Sequence, residues 1–302
     1  MHDPVNSLVV ALDGSYCRLS TLHRFDTMPD RGIGRQHEAG GRRLVEMASL
    51  FRSWNRKMGE AASAVGSPEF PTRLQAALRL IAPFEMMNGF RYTPDRRALD
   101  LYNECDIVDR SIIVDQYLAG AYVLDPFYDA IYQDSAAPLI VMQEIAPDSF
   151  RQSEYYRVHY ASTTIVDEIG FVLDLTGGHI GVLSISRVGA TTMFGRREIE
   201  QFGDAADLVC ALAARHWRIS EGIASAPGET PTAHLSHPLL TTREREIVAL
   251  ILKGHSTISI GALLSLSPET VKVHRRHTYA KLKISSQGEL FRLFLAQQAP
   301  QP

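Results

Sequence analysis

The sequence predicts an α+β domain followed by an all-α domain of four helices, and three observations carry this prediction. Two apolar runs, at 168–175 and 179–186, are joined by a Gly-Gly pair, which permits the positive φ angles that a tight β-hairpin needs. A long amphipathic helix is predicted over 196–221 by its apolar stripe. In the last fifth of the chain, four short segments each begin with a helix-capping pattern.

The composition is that of a globular protein. Of the 302 residues, 45% are hydrophobic and 22% are charged, which is enough apolar material for two compact domains. No apolar run reaches the length of about eighteen residues that a membrane helix needs, and no basic stretch opens the N-terminus. The three cysteines lie far apart and form no C-x-x-C pair. We therefore expect a cytoplasmic protein with no membrane partner, no disulfide framework and no structural zinc site.

Periodic and non-periodic stretches divide the chain into four segments. Residues 1–37 are rich in Gly, Arg and Asp without sustained periodicity, so we expect an N-terminal arm that can be disordered. Residues 38–222 contain the predicted α+β domain. Residues 223–238 hold Pro, Gly, Ser and Thr without periodic apolar residues, which is typical of a linker. Residues 239–297 contain the four capped helices.

Within the α+β domain, helices are predicted where apolar residues recur at helical spacing, and strands where short apolar runs are bounded by turn residues. In chain order, the elements before the hairpin are helices at 38–64 and 72–81, strands at 87–93 and 98–104, helices at 109–119 and 126–132, a strand at 139–144 and a helix at 153–161. Helices that flank a small antiparallel sheet and end in a long helix resemble the arrangement of GAF and PAS sensor domains.

The charge is unevenly distributed along the chain. The formal net charge is -3, yet residues 239–297 contain nine Lys and Arg against four Asp and Glu, a net charge of +5. The remainder therefore carries -8. This asymmetry predicts a basic module for a polyanion, attached to an acidic body.

Local capping signals place the helices of the basic domain. Thr241 and Glu244 form a capping box, and Gly254 ends the helix that the box opens. Ser256 caps the second helix, and Ser267, followed by Pro at the first helical position, caps the third. A second capping box at 286–289 opens the fourth helix.

The third helix has one apolar and one polar side. Val271 and Leu282 are expected to face the core. The other side is formed by residues spaced i, i+3, i+4 and i+7, namely Glu269, Lys272, Val273 and Arg276. A basic helix of this kind suits the major groove of DNA, which admits a single helix whose long side chains reach base edges. The alternative, that these cations are only a solvated helix face, agrees less well with the order of the caps and the basic charge.

The stretch LTTREREIVALILKGHS, followed by SPETVKVHRRHTYAKLKISSQGEL, resembles the helix-turn-helix domain of the LuxR and NarL family of transcription regulators. The resemblance implies a four-helix DNA-binding domain, dimerisation through the last helix at 286–297, and double-stranded DNA and RNA polymerase as partners. It implies these DNA-contacting residues: Thr270, Lys272, Val273, His274, Arg275 and Arg276. The chain departs from the family at four positions: Ser259, Gly261 and Ser265 stand where Glu, Ala and Gly are customary, and Thr278 stands at a position that normally holds a larger apolar residue. A glycine inside a helix is unfavourable, so the second helix should be less stable than usual.

The stretches QYLAGAYVLDPFYDAIYQ and SEYYRVHYAS resemble the sensor regions of LuxR-type regulators, many of which are GAF-like. The spacing from Tyr117 to Asp125 is similar to that of acyl-homoserine-lactone receptors, although Ile113 stands where those receptors have Trp. Aromatic rings beside carboxylates could also hold an amine. The predicted ligand-binding residues are Phe90, Tyr92, Tyr102, Tyr117, Tyr122, Asp125, Phe127, Tyr128 and Tyr156. The alternative for each tyrosine is an ordinary core position, and Asp125 could simply cap a helix.

These patterns predict a DNA-binding transcriptional regulator that senses a small molecule and acts as a homodimer, without cofactor or metal. An enzyme is the first rival, but the nucleophile elbow, phosphate loop, zinc helix and dinucleotide turn are absent from the sequence. The pair Asp167-Glu168 could serve as catalytic acids, although solvated acids are also common at a strand entrance. Landmarks of a phosphorylated receiver domain are not evident. Two alternatives stay open, an acyl-homoserine-lactone receptor and an N-terminal domain that only mediates protein contacts.

Overall fold

The computed structural model describes residues 34–103, 110–133, 137–189, 191–220, 235 and 237–298. The chain divides after Ser49 into two units, and everything below except the first part of helix α1 belongs to the second unit. Most of the predicted arm at 1–37 and most of the predicted linker at 223–238 lie outside the described residues.

A five-stranded antiparallel sheet is the centre of the N-terminal region, as the α+β prediction requires. Its strands are β1 (Met86–Tyr92), β2 (Ala98–Asn103), β3 (Leu139–Val141), β4 (Ile165–Asp174) and β5 (Ile180–Val188), in the order β2-β1-β5-β4-β3. The β4–β5 hairpin pairs Asp174 with Ile180 at its closed end. Gly177 and Gly178 have φ angles of 70° and 74° there, so the predicted glycine turn is confirmed.

The helices of the N-terminal region are α1 (Gly34–Ser63), α2 (Phe70–Leu78) and α5 (Arg196–Ser220). Helices α2 and α5 and the part of α1 around Met58 and Ala61 pack on one face of the sheet. The core on this side of the sheet is apolar and includes Leu74, Phe171, Leu183, Phe202 and Val209, none of which is exposed. Alternation along the strands explains this composition, because successive side chains point to opposite faces.

The other face of the sheet is covered by short, irregular helical segments. They are π-helical turns at Ser111–Gln116 and Tyr156–Ala161, 3-10 turns at Ala121–Leu124 and Phe150–Gln152, α3 (Pro126–Ala130) and α4 (Met142–Ile145). The predicted strand at 139–144 is therefore wrong in its second half, because the chain turns into α4 after Val141. The core on this face is rich in tyrosine, and it continues into the C-terminal helices.

The C-terminal region is the predicted all-α domain of four helices. They are α6 (Thr242–Lys253), α7 (Thr257–Leu264), α8 (Pro268–Leu282) and α9 (Gln287–Gln298). The capping box of Thr241 and Glu244 is confirmed, as are the caps by Ser256 and Ser267. The second predicted box is wrong in one bond: Ser286 Oγ accepts from the amide of Glu289, but the Glu289 carboxylate accepts from Ser285 instead.

Two of the departures from the family pattern, Gly261 and Ser265, have local structural consequences. A Cβ atom on Gly261 would lie 2.7 Å from the carbonyl oxygen of Leu266, so the backbone after α7 approaches the helix too closely for Ala. Ser265 takes the left-handed conformation with φ of 54°, which costs a non-glycine residue about 1 kcal/mol. Gly261 thus allows the close approach of the two backbone segments, and Ser265 has a strained backbone conformation.

Candidate functional site

A small cavity of about 50 Å³ lies against the tyrosine-rich face of the sheet. Strands β1, β4 and β5 form its floor, and the two π-helical turns and the segment around α3 form its walls. Its lining residues are Met86, Asn88, Phe90, Tyr92, Ile113, Tyr117, Asp125, Phe127, Tyr155, His159, Tyr160, Ile165, Glu168, Val182 and Ser184. Polar groups are thus enclosed among aromatic rings, which is the usual composition of a small-molecule site.

Asp125 has two structural roles in the cavity. One carboxylate oxygen caps α3 by accepting from the Phe127 amide at 2.9 Å, so the prediction that this residue caps a helix is confirmed. The other oxygen accepts from the Tyr117 hydroxyl at 2.9 Å, and Tyr117 lies 2.6 Å from the Tyr92 hydroxyl. Burial, reinforced by the nearby charge of Glu168, raises the pKa of Asp125 to about 7.

Two further titratable groups line the same cavity. Glu168 accepts from the Tyr160 hydroxyl at 2.7 Å, and burial of its carboxyl raises the pKa. Burial also lowers the pKa of His159 to about 4, so the imidazole is neutral at pH 7. The Nε2 atom of His159 has no hydrogen-bond partner. The cavity therefore brings together two carboxyls and a neutral histidine.

Five of the nine predicted ligand-binding residues line this cavity: Phe90, Tyr92, Tyr117, Asp125 and Phe127. Tyr122 and Tyr128 form the next layer, with ring centroids 6.3 and 5.6 Å from that of Tyr92. Tyr156 stacks on Tyr160 and also lies outside the lining. Tyr102, which is predicted to bind the ligand, does not line the cavity. It packs near Trp217 in the apolar core on the opposite face of the sheet.

Glu168, His159 and Asn88 line the cavity, although the sequence patterns do not predict them as ligand-binding residues. Glu168 was expected to be a solvated acid or half of a catalytic pair, but its position in β4 turns it towards the cavity, whereas its neighbour Asp167 is buried beside Gln143. The signal that could have identified Glu168 is strand periodicity. An acid at the same alternation as the apolar residues of the cavity face is enclosed by that face.

We expect the stability of the Asp125→Asn variant, relative to the unchanged protein, to increase as the pH rises from about 5 to about 8. Asp125 has a raised pKa, so the folded state binds more protons than the unfolded state between pH 4 and about 7. Its contribution therefore falls as the pH rises through that window. Asparagine does not titrate and keeps the oxygen that caps α3, but its Nδ2 amide replaces the oxygen that accepts from Tyr117.

The measurement is urea unfolding of both proteins at pH 5 and pH 8. The variant must be compared with the unchanged protein because His159 has the opposite effect on the pH dependence of stability. Its pKa is lowered, so its contribution to the free energy of unfolding rises between pH 4 and about 6.5. Tyr92, Tyr117, Tyr155 and Glu168 also face Asp125 and are shared by both proteins. An offset between the two proteins that is equal at both pH values would contradict the raised pKa of Asp125.

A second candidate surface is the polar side of α8. Val271 is buried on one side, while Glu269, Lys272, Val273 and Arg276 are exposed on the other, as predicted. Lys272 pairs with Glu269 at 2.8 Å, and both side chains are largely exposed. Exposed ion pairs contribute little to stability, so little free energy is lost when Lys272 leaves Glu269 for another anionic partner.

The remaining predicted DNA-contacting residues differ in their surroundings. Thr270 shares the cap of α8, with its hydroxyl 2.8 Å from that of Ser267, and His274 is half-buried. Arg275 is exposed but stacks over the Tyr279 ring, 5.2 Å from its centroid, and also lines a cleft beside Ser149. Arg275 is thus turned away from the side that carries Lys272 and Arg276.

The C-terminal helices pack on the N-terminal region through polar contacts. Lys253 at the end of α6 donates to both carboxylate oxygens of Asp129 in α3, each at 2.7 Å. The amide of Ser256, at the start of α7, donates to Asp148 at 2.9 Å. A Cβ on Gly254 would lie 2.8 Å from the Cα of Phe150, so the two backbones touch. The polar side of α8 stays exposed in this arrangement.

None of the helices in the described ranges combines the length and the apolar character needed to cross a membrane. The family model described as bacterial regulatory proteins, luxR family, matches residues 238–294. A putative HTH-type transcriptional regulator in the exeN 3' region of Aeromonas salmonicida is 30% identical over 184 residues, which cover 57% of this chain and 93% of that protein. The transcriptional regulatory protein FixJ of Rhizobium meliloti is 35% identical over 26% of this chain, but the match spans only 40% of FixJ.

Among solved structures, the VqsR LBD domain from Pseudomonas aeruginosa aligns with a TM-score of 0.49 and 22% identity, over 56% of this chain and 99% of that chain. Escherichia coli SdiA aligns with a TM-score of 0.41 and 16% identity, over 82% of this chain and 98% of its own. The family model covers α6, α7, α8 and most of α9, and the Aeromonas relative is matched over nearly its full length. The chain therefore belongs to the luxR family of bacterial regulatory proteins.

Proposed function

We propose that this regulator reads a specific DNA sequence with Lys272, Val273 and Arg276, under the control of a small molecule bound in the cavity against the sheet. The observation that carries the proposal is the exposed polar side of α8 on a helix whose other side is buried. Cations on such a helix reach base edges in the major groove, while capped helix N-termini hold phosphates. Thr270, His274 and Arg275 are proposed to contact the DNA around this centre.

The position of α3 supports a connection between the cavity and the DNA-binding helices. Asp125 lines the cavity and caps α3, and Asp129 in the same helix pairs with Lys253 of α6. A ligand that competes for Asp125 would therefore act on the helix that holds α6. A ligand shifts the equilibrium between two conformations of a protein only by its difference in affinity for them. A hydrogen bond to Asp125 that only one conformation allows would supply that difference.

We also propose that the regulator binds DNA as a homodimer. Leu293 of α9 is 40% exposed, whereas Leu290, Phe291 and Phe294 are buried in the core of the domain. The outer side of α9 thus offers an apolar residue to a second copy. A dimer would place two copies of α8 in successive major grooves, and RNA polymerase would be the partner through which the bound regulator affects transcription.

The DNA-binding proposal is tested by selection of the full chain against a pool of random double-stranded DNA. We expect enrichment of an inverted repeat whose half-sites are about 10 base pairs apart from centre to centre. Binding of the enriched DNA should weaken steeply as salt is raised, because bound cations release counterions from the phosphates. A pool that is not enriched over a protein-free control, together with retention that does not depend on salt, would refute the proposal.

A further inference from the structure

Two buried acceptor atoms of the cavity lack a hydrogen-bond donor. Asn88, which is 3% exposed, donates its amide to Asn103 at 2.7 Å, and this bond leaves its Oδ1 without a partner. His159, which is 4% exposed, is neutral, and a hydrogen bond with the backbone of Ile112 uses its ring N–H. Its other nitrogen, Nε2, then carries a lone pair and has no partner. Unsatisfied buried polar atoms are rare in native proteins and call for a physical explanation.

The tyrosine hydroxyls around the cavity are already engaged. Tyr117 donates to Asp125, Tyr92 pairs with Tyr117, and Tyr160 donates to Glu168. None of the residues in the described lining is Lys or Arg, so the two carboxyls have no basic side chain beside them in the cavity. Above pH 7, where Asp125 is ionised, the site consequently has an excess of acceptors and carries negative charge. A complementary ligand must bring N–H donors and a positive charge.

We propose that the ligand is a compact organic ammonium ion, whose three N–H groups are shared among the acceptors of Asp125, Glu168, Asn88 and His159. Phe90 and Tyr117, with ring centroids 4.2 Å apart, line the same space and can add cation–π attraction. The volume of about 50 Å³ accommodates a charged group of a few heavy atoms, since one water takes roughly 10–15 Å³ on this measure. The inference rests on the proposed function only in placing the regulatory ligand in this cavity.

An acyl-homoserine lactone fits this pattern less well. Its single amide N–H could satisfy one acceptor, but its carbonyl and ring oxygens are themselves acceptors and would face the carboxyls and the lone pairs of Asn88 and His159. Primary ammonium has three N–H donors and no acceptor, as in the side chain of lysine. The arrangement of the four acceptors therefore favours the ammonium.

The test uses the full chain at pH 8 with propylammonium chloride as the probe, and sodium chloride at equal ionic strength as the reference. We expect a saturable rise in the melting temperature and saturable heat in calorimetry, because a ligand of the folded state stabilises it by mass action. Each of the substitutions Asp125→Asn and Glu168→Gln replaces a charged carboxylate with a neutral amide of nearly the same shape. We therefore expect the affinity for propylammonium to fall by at least about tenfold in each variant. Glu144→Gln, at an exposed acid in α4, is the matched control and should bind as the unchanged protein does.

Three outcomes would overturn the inference. The first is the absence of saturable propylammonium binding, and the second is binding that neither variant weakens. The third is equal affinity for tetramethylammonium, which brings the charge without an N–H donor. If Asp125→Asn does not fold, as judged by circular dichroism, Glu168→Gln decides the matter alone.

The outcome for the proposed function is separate. Preference for N-butanoyl homoserine lactone, unaffected by Glu168→Gln, would reject the ammonium while leaving a ligand-controlled regulator in place. Saturable ammonium binding by a chain that selects no DNA would reject the proposed function while leaving the cavity assignment in place.

Discussion

Replacing either Lys272 or Arg276 with alanine is expected to raise the dissociation constant for the selected DNA by about ten- to a hundredfold, because a base contact in the major groove contributes roughly 1–3 kcal/mol. Both side chains are exposed on the polar side of α8. Lys272 has only its solvated pair with Glu269 to give up on binding. The measurement is a gel-shift titration at fixed salt concentration with the selected sequence and with a scrambled sequence.

Arg197→Ala is the control for the loss of one positive charge, since Arg197 is exposed on α5 in the N-terminal region. We expect it to leave the dissociation constant nearly unchanged. The two α8 variants should lose more affinity for the selected than for the scrambled DNA. Equal losses for both sequences would show that these residues contact phosphates only, and unchanged affinity in both variants would show that α8 is not the reading helix.

Replacing Glu244 with alanine is expected to lower the free energy of unfolding by about 2 kcal/mol, through loss of a helix cap and of one partner of a largely buried ion pair. Glu244 is only 3% exposed. It accepts from the Thr241 amide at 2.8 Å and from Lys281 of α8 at 2.7 Å. These bonds outweigh the effect of burial and hold the pKa of Glu244 below its usual value. Lys281 remains partly exposed, so the loss is smaller than for a fully enclosed pair.

Glu246→Ala on the same helix is the matched control. Glu246 pairs with Arg243, and side chains of both residues are more than a third exposed, so we expect a change of about 0.5 kcal/mol or less. Urea unfolding of the full chain followed by circular dichroism gives both values. Similar small losses for the two variants would mean that the junction of α6 and α8 does not depend on Glu244. Because that junction positions α8, the Glu244 variant should also bind DNA more weakly.

The sequence predicts the C-terminal domain well because its signals are local. A cap such as Thr241 with Glu244 involves residues three positions apart, and the left-handed Gly254 ends the same helix. The pattern of exposed residues on α8 follows from one helical period. Each of these features can be recognised within a short window, without knowledge of the rest of the fold.

The cavity is predicted less completely because its residues come from distant parts of the chain. Asn88 and Glu168 lie in strands that only the pairing of the sheet brings together. Tyr102 shows the same difficulty in detail. Between Gly89 and Phe90 the register of β1 with β2 shifts, so that Gly89 pairs with Tyr102 while Phe90 pairs with Asp100. Such a bulge changes which residues share a face of the sheet, and no local sequence pattern predicts it here.

The two faces of the sheet differ in a way that bears on how such a regulator can change over time. One face is closed by aliphatic and aromatic hydrocarbon, and it supports α2 and α5. The other holds the tyrosines and carboxyls, and it is this face that adjoins the C-terminal helices. Substitutions among the polar side chains leave the hydrocarbon foundation intact. Under the proposed function, such substitutions would change the compound that the regulator recognises while its scaffold and its DNA-binding helix stay the same.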